Sequence, residues 1–303
     1  MEFKKHLPKS ISFTASKDWF YSQYFKKCGL RSTATDLGEG TTIHSWVPHP
    51  HNPSKPTLLL IHGFGANAMW QYSHVLPHFT PHYNLYVPDL IFFGHSLTTR
   101  PDRHEAFQAE CLLAAMRYRG VTKMSVVGIS YGGFVGYHMG VQAPEMVEKL
   151  VLCCTGVCLE EKDMHNGLFR VADVQEAISI LLPQTPDKLR ELMTLSFVKP
   201  LKAAPPCFLA DFIHVMCRKN VKERGELIEA ILKDRQLSNL PRITQPTMII
   251  WGEEDQVFPL ELAFRLQRHV GEKTEIRVMR RAGHALNLEK PKEFIHYLKS
   301  FLL

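Results

Sequence analysis

Short, continuous apolar runs recur along the chain and alternate with longer segments whose apolar residues fall three and four positions apart. The first kind reads as buried strand and the second as amphipathic helix. Thr57 to Ile61, Leu85 to Val87, Met124 to Val127, Glu148 to Cys154, Thr247 to Trp251 and Glu275 to Met279 are expected strands. Helices are expected over 66–79 (with Met69, Trp70, Val75 and Leu76 inward), 105–118 (stopped by Gly120), 134–141, 260–269 and 291–302. Regular strand–helix alternation implies a mostly parallel sheet of eight strands wound by right-handed crossovers, with helices on both faces.

Two stretches depart from this rhythm. At the N-terminal end, Arg31 to Asp36 and Thr41 to Val47 read as strands joined by Leu37-Gly38-Glu39-Gly40, a hairpin signal. Before them, residues 14–28 read as an amphipathic helix with Ser16 as N-cap and Gly29 just past its end. Trp19, Phe20, Tyr24 and Phe25 are its expected apolar anchors against the body; peripheral contact with a membrane surface or a partner is the alternative. Over 156–240 helical segments near 171–182, 187–197, 208–217 and 223–234 follow one another without a strand, punctuated by Pro183, Pro186, Pro200, Pro205 and Pro206. The expected organisation is therefore an N-terminal arm and helix (1–30), a first core part (31–155), a helical cap (156–240) and a second core part (241–303). Apolar residues of the cap such as Ile180, Leu192, Phe197, Phe208 and Phe212 are expected mostly to pack, with one face lining a pocket.

Between the strand at Met124 and the helix from Phe134 lies Gly128-Ile129-Ser130-Tyr131-Gly132. A G-x-S-x-G sequence on a strand-to-helix turn is a nucleophile elbow: a strained serine held above the sheet at the positive end of a helix. Both flanking positions are glycine because a side chain there would strike neighbouring backbone.

Composition narrows the classes. The 303 residues are 45% hydrophobic and 22% charged, which fits a globular core plus an insertion. The formal charge of +6 is scattered in pairs such as Lys4-Lys5, Lys26-Lys27 and Arg280-Arg281, so no nucleic-acid footprint is expected. The odd count of 7 cysteines lacks framework or zinc spacing, and Cys153, Cys154 and Cys158 read as reduced core thiols. A reducing, cytoplasmic location is expected, with neither a membrane span nor a signal core. Gly63-Phe64-Gly65 lacks the third glycine of a dinucleotide fingerprint, and no metal or organic cofactor is implied.

A serine needs a base within reach and an acid to orient that base. His284 follows the last strand within Arg281-Ala282-Gly283-His284, and Asp255 follows the preceding one, with Glu253 and Glu254 beside it as rival acids. In a parallel sheet these loops share the carboxyl edge with Ser130. With His62-Gly63-Phe64-Gly65, Pro88-Asp89, Gly94-His95-Ser96 and Trp251-Gly252-x-x-Asp255-x-x-x-Pro259, this order resembles the α/β-hydrolase superfamily over nearly the whole chain. It most resembles capped, cytosolic plant-type members related to carbon–carbon bond hydrolases and esterases. The resemblance implies Ser130 as nucleophile, His284 as base and Asp255 as orienting acid, the W-G-x-x-D spacing favouring it over Glu253 and Glu254. It also implies an oxyanion hole from the backbone N–H groups of Phe64 and Tyr131, the same two residues being the expected substrate contacts. His62 and Asp89 are expected to be structural.

Epoxide hydrolases and haloalkane dehalogenases of that superfamily carry aspartate where this chain has Ser130, which argues against those activities. The leading expectation is hydrolysis of a small apolar or aromatic ester or thioester through an acyl-enzyme. The alternatives are carbon–carbon bond hydrolysis or lysis by the same triad, and a small-molecule receptor on a hydrolase scaffold.

Overall fold

In the computed structural model, residues 12–171, 173–200, 204–233, 235–272 and 274–303 are described. The arm 1–11, Ala172 within the expected 171–182 helix, and Asp234 at the end of the expected 223–234 helix lie outside them.

The chain opens with α1 (Phe13–Lys27), then the antiparallel hairpin β1 (Leu30–Gly38) and β2 (Thr41–Pro48). Ser12, not Ser16, caps α1, accepting a hydrogen bond from the Ala15 N–H; Ser16 lies inside the helix, its hydroxyl donating back to the Ser12 carbonyl. A second correction concerns its anchors. Phe25 is buried and Tyr24 half-buried, but Trp19 and Phe20 are 58% and 64% exposed. The helical repeat explains this: Thr14, Asp18, Tyr21 and Phe25 share the face turned to the body, and Trp19 and Phe20 fall outside it.

The alternating part follows as β3 (Thr57–Ile61), α2 (Ala68–Tyr72), α3 (Leu76–Phe79), β4 (Asn84–Pro88), α4 (Glu105–Tyr118), β5 (Met124–Ile129), α5 (Tyr131–Gln142) and β6 (Val147–Cys153). The single helix expected over 66–79 is two short ones. Pro77 stands in the first turn of α3, where a missing N–H is tolerated, whereas inside a continuous helix it would break the ladder.

Between β6 and β7 (Thr247–Gly252) the described residues hold helices joined by loops and no strand: α6 (Lys162–His165), α7 (Val174–Leu181), α8 (Pro186–Ser196), α9 (Pro206–Phe212) and α10 (Val221–Leu232). A π-helical turn at Ile213–Cys217 continues α9, where an unbroken α-helix is expected. Leu189, Leu209, Ile213 and Cys217 form a small core of their own. Phe208 is an exception to packing, being 49% exposed. The chain ends with α11 (Glu261–Val270), β8 (Thr274–Met279), α12 (Leu286–Glu289) and α13 (Pro291–Leu302).

All eight strands form one sheet in the order β1-β2-β4-β3-β5-β6-β7-β8, antiparallel at β1–β2 and β2–β4 and parallel elsewhere. The central strands β3 and β5 are buried at every position, which fits sequences that are mostly apolar rather than alternating, Thr57 and Ser125 being the polar exceptions. From β3 the chain moves one way to β4 and then back past β3 to β5. Right-handed crossovers therefore put α2 and α3 on one face and α4, α5 and α11 on the other. The last helix joins the α2–α3 face, where Phe294 meets His74. The reversal opens a crevice at the carboxyl ends of β3 and β5.

Candidate active site

Ser130 stands at that crevice, between the end of β5 and the first turn of α5. Its φ of 54° and ψ of −121° lie outside the ordinary regions, and the strain is held by hydrogen bonds on both sides. Its N–H donates to the Cys153 carbonyl at 2.8 Å, and its carbonyl accepts from the Gly133 N–H at 2.9 Å. A methyl group on Gly132 would overlap the Ile61 carbonyl oxygen, and one on Gly128 would overlap Gly132, so the turn closes only with both glycines.

His284 reaches Ser130 from the loop after β8, its Nε2 2.9 Å from Ser130 Oγ. Its Nδ1 lies 2.8 Å from Asp255 Oδ2 in the loop after β7. An ionised carboxylate can only accept, so Nδ1 carries the hydrogen and Nε2 is free to accept the serine O–H. The other oxygen of Asp255 accepts the N–H groups of Val257 and Phe258, each at 2.9 Å. Asp255 is buried, while Glu253 and Glu254 are exposed and Glu253 accepts from the Arg281 N–H instead. Three residues separated in sequence thus form one continuous hydrogen-bond relay.

Cys154 belongs to this cluster, although its sequence context reads only as a core thiol. Burial, reinforced by the neighbouring Asp255 charge, pushes the thiol well above its ordinary range, and it hydrogen-bonds to that carboxylate as a neutral group. Cys154, Asp255 and His284 hold their donor atoms within 4.8 Å of one another. A protonated thiol and an imidazole already committed at both nitrogens suit a hydrogen-bond relay better than a metal site.

The loop after β3 forms the opposite wall. Gly63 presses against Ser130 so closely that a Cβ there would lie 2.8 Å from the serine Cβ. Gln71 of α2 latches this loop. Its Oε1 accepts the Gly63 N–H at 2.9 Å, and its Nε2 donates to the carbonyls of Gly63 at 3.0 Å and Ala66 at 2.9 Å. Among the described residues, the backbone N–H groups of Phe64 and Tyr131 donate to no protein group. The half-buried Phe64 ring meets those of Phe93 and Tyr131 edge-on, at 5.1 Å in each case. Tyr131 is 1% exposed, so whatever it offers a ligand comes from its backbone rather than its ring.

His62 is wholly buried. Its Nδ1–H donates to the Gly63 carbonyl at 2.8 Å and its Nε2 accepts from the Leu90 N–H at 3.0 Å, so it joins two loops and has no proton to exchange. Burial holds its pKa below the ordinary imidazole value. Asp89 supports its own loop by accepting from His44 Nδ1 at 2.8 Å and from the His95 N–H at 3.3 Å.

The histidine loop has a further brace that no spacing signals. Glu289 accepts the Gly283 N–H at 2.7 Å and the Val198 N–H at 2.9 Å, and the Ala285 N–H donates to the Ser196 carbonyl. Beside the relay, Phe258 meets His284 edge-on at 5.7 Å and lines an apolar cavity of about 70 Å³ with Leu159, Phe169, Ile180, Ile228 and Val257. A more polar cavity of about 410 Å³ lies between α1, the loop Gly65–Asn67 and the π-helical turn.

A model described as the alpha/beta hydrolase family matches residues 58–296. Bovine monoacylglycerol lipase ABHD6 is 26% identical over 261 residues, covering 82% of this chain and 75% of the bovine protein. The 2-hydroxy-6-oxo-2,4-heptadienoate hydrolase of Pseudomonas putida is 25% identical over 288 residues, covering 90% and 93%. Among solved structures, the 2-hydroxy-6-oxo-6-phenylhexa-2,4-dienoate hydrolase of a Rhodococcus strain superposes with a TM-score of 0.73 at 21% identity, covering 90% of this chain and 99% of that one. No helix among the described residues is long and apolar enough to cross a membrane.

Proposed function

Because the chain belongs to the alpha/beta hydrolase family, we propose that it is a serine hydrolase that cleaves a small apolar or aromatic ester or thioester through an acyl-enzyme on Ser130. The observation that carries this reading is the relay from Ser130 Oγ through His284 to Asp255, at 2.9 and 2.8 Å. As the serine oxygen attacks the acyl carbon, its proton passes to His284 Nε2, and the Asp255 charge stabilises the imidazolium. The negative oxygen of the tetrahedral intermediate takes hydrogen bonds from the Phe64 and Tyr131 N–H groups, aided by the positive end of α5. The leaving alcohol or thiol departs with the proton from His284. Water then loses a proton to His284 and attacks the acyl-serine; as the acid is released, that proton returns from His284 Nε2 to Ser130 Oγ. Residues 156–240 act as a cap over the crevice, and the apolar cavity beside Phe258 favours an apolar acyl group.

The test is labelling by a fluorophosphonate together with turnover of an acyl and aryl ester panel. The expected result is one phosphonyl adduct on Ser130, absent in Ser130→Ala, with hydrolysis lost in the same variant. An unlabelled wild type that turns over no member of the panel would defeat the reading.

The similarity to the Pseudomonas hydrolase supports a second reading, carbon–carbon bond hydrolysis by the same three residues. Turnover of a 2-hydroxy-6-oxo-dienoate with every ester left intact would favour it.

A further inference from the structure

The outward face of α1 is unusual for a helix that packs on a globular body. Phe13 (57% exposed), Trp19 (58%) and Phe20 (64%) all lie on it, and Phe13 meets the exposed Phe208 of α9 edge-on at 5.6 Å. Large exposed hydrophobics elsewhere stand apart in the chain, whereas these four come from two helices in contact. The same side of α1 carries Lys26 and Lys27, and Lys219 shares the rim of the 410 Å³ cavity with Lys26. None of these three lysines has an ion pair among the described residues. The single acidic residue of α1, Asp18, is turned inward, its carboxylate accepting from Asn67 Nδ2 at 2.6 Å and Trp70 Nε1 at 2.9 Å.

We infer that the outward face of α1, extended by Phe208, docks on an anionic lipid surface. Aromatic side chains among unpaired lysines suit the boundary between headgroups and acyl chains: the rings enter the apolar edge and the ammonium groups stay at the phosphates. Lysines near a negatively charged leaflet strengthen such binding, each by a modest increment that salt screens. A second copy of the chain is a poorer occupant, since a two-fold contact on this face would bring like charges together. The contact is peripheral, because α1 has only 15 residues and carries Lys17, Asp18, Lys26 and Lys27.

The docking face also adjoins the crevice. Asp18 holds Asn67, which caps α2, and α2 carries the Gln71 latch on the loop beside Ser130. Resting on the proposed ester hydrolysis, the inference adds where the substrate comes from: an apolar ester partitioned into a bilayer and taken up at its surface.

The experiment is co-sedimentation of the full chain with vesicles of phosphatidylcholine alone or with about a fifth phosphatidylserine, alongside hydrolysis of a water-soluble short-chain ester. The wild type is expected to partition onto the anionic vesicles and to be released by salt. Trp19→Ala/Phe20→Ala is expected to lower the partition coefficient by at least about tenfold while soluble-ester turnover stays within about twofold. Lys26→Gln/Lys27→Gln should remove most of the difference between the two vesicle compositions. Failure of the wild type to bind either vesicle would overturn the inference, as would undiminished binding of the aromatic variant. Concentration-dependent self-association lost in that variant, without vesicle binding, would overturn it in favour of a second copy. Vesicle binding without any ester hydrolysis would support the docking face and defeat the proposed ester hydrolysis.

Discussion

At the scale of single residues, the relay and its braces make separable contributions. In the proposed reaction Ser130 and His284 share one proton transfer, so Ser130→Ala and His284→Ala are each expected to lower kcat/KM by about a thousandfold or more, and the double variant by little beyond either. Steady-state kinetics on a soluble ester checks this; losses that multiplied would mean that the two side chains act independently. Gln71 does a different job. It touches no reacting atom but ties Gly63 and Ala66 together, and so fixes where the Phe64 N–H points. Gln71→Ala is expected to reduce kcat by about ten- to a hundredfold with KM nearly unchanged, as for a lost oxyanion donor. A residue that merely stabilised the fold would instead lower Tm and leave the kcat of the remaining folded enzyme intact.

Among the elements, α1 shows how sequence pattern and structure part company. Its helical period is plain, but the choice of inward face is set by partners far along the chain. Asp211 of α9 accepts the Thr14 N–H, and Asn67 and Trp70 donate to Asp18. Trp19 and Phe20, two of the four anchors expected from hydropathy, point outward instead, whereas Phe25 is buried as expected. The split of 66–79 into α2 and α3 was present in the sequence as Pro77, outweighed there by apolar periodicity. The short helices α6 and α12 have a single turn each, too little to display a period. If α1 braces the oxyanion loop through Asp18, Asp18→Ala should lower kcat on a soluble ester by about threefold to tenfold and stability by about 1–3 kcal/mol. Fluorophosphonate labelling of Ser130 should slow in parallel. Unchanged kinetics at unchanged KM would reduce α1 to a packing element.

Over the whole molecule, the candidate site was legible because topology converts order along the chain into position in space. A parallel sheet puts the loops after β3, β5, β7 and β8 on one rim, so Ser130, Asp255 and His284 could be matched without any contact being visible in the sequence. The braces could not. Cys154, Gln71 and Glu289 act through side-chain contacts that no local spacing records, and the clasp that holds the helical segment to the sheet domain is of the same kind. Arg235, just after α10, donates to Glu105 Oε1 at the start of α4 at 2.6 Å and to the Val157 carbonyl, while His138 of α5 lies 3.4 Å from the same carboxylate. Arg235 therefore joins both ends of the segment to the Glu105 carboxylate of α4, which His138 of α5 also approaches. Burial alone would raise the Glu105 pKa, but His138 and Arg235 outweigh it and hold the group down at about 2, against an ordinary 4.5. A carboxylate whose pKa is lowered by folding contributes stability that is complete above the unfolded value and fades as pH falls. The window for Glu105 thus runs from about pH 4.5 down to about 2, and the contribution at neutral pH is on the order of 3 kcal/mol. Denaturant midpoints measured across that range should decline more steeply for the wild type than for Glu105→Gln. The variant should be less stable at pH 7, because a neutral amide leaves the half-buried Arg235 without its counter-charge. Parallel pH profiles for the two proteins would place the acid sensitivity elsewhere and remove Glu105 as the clasp.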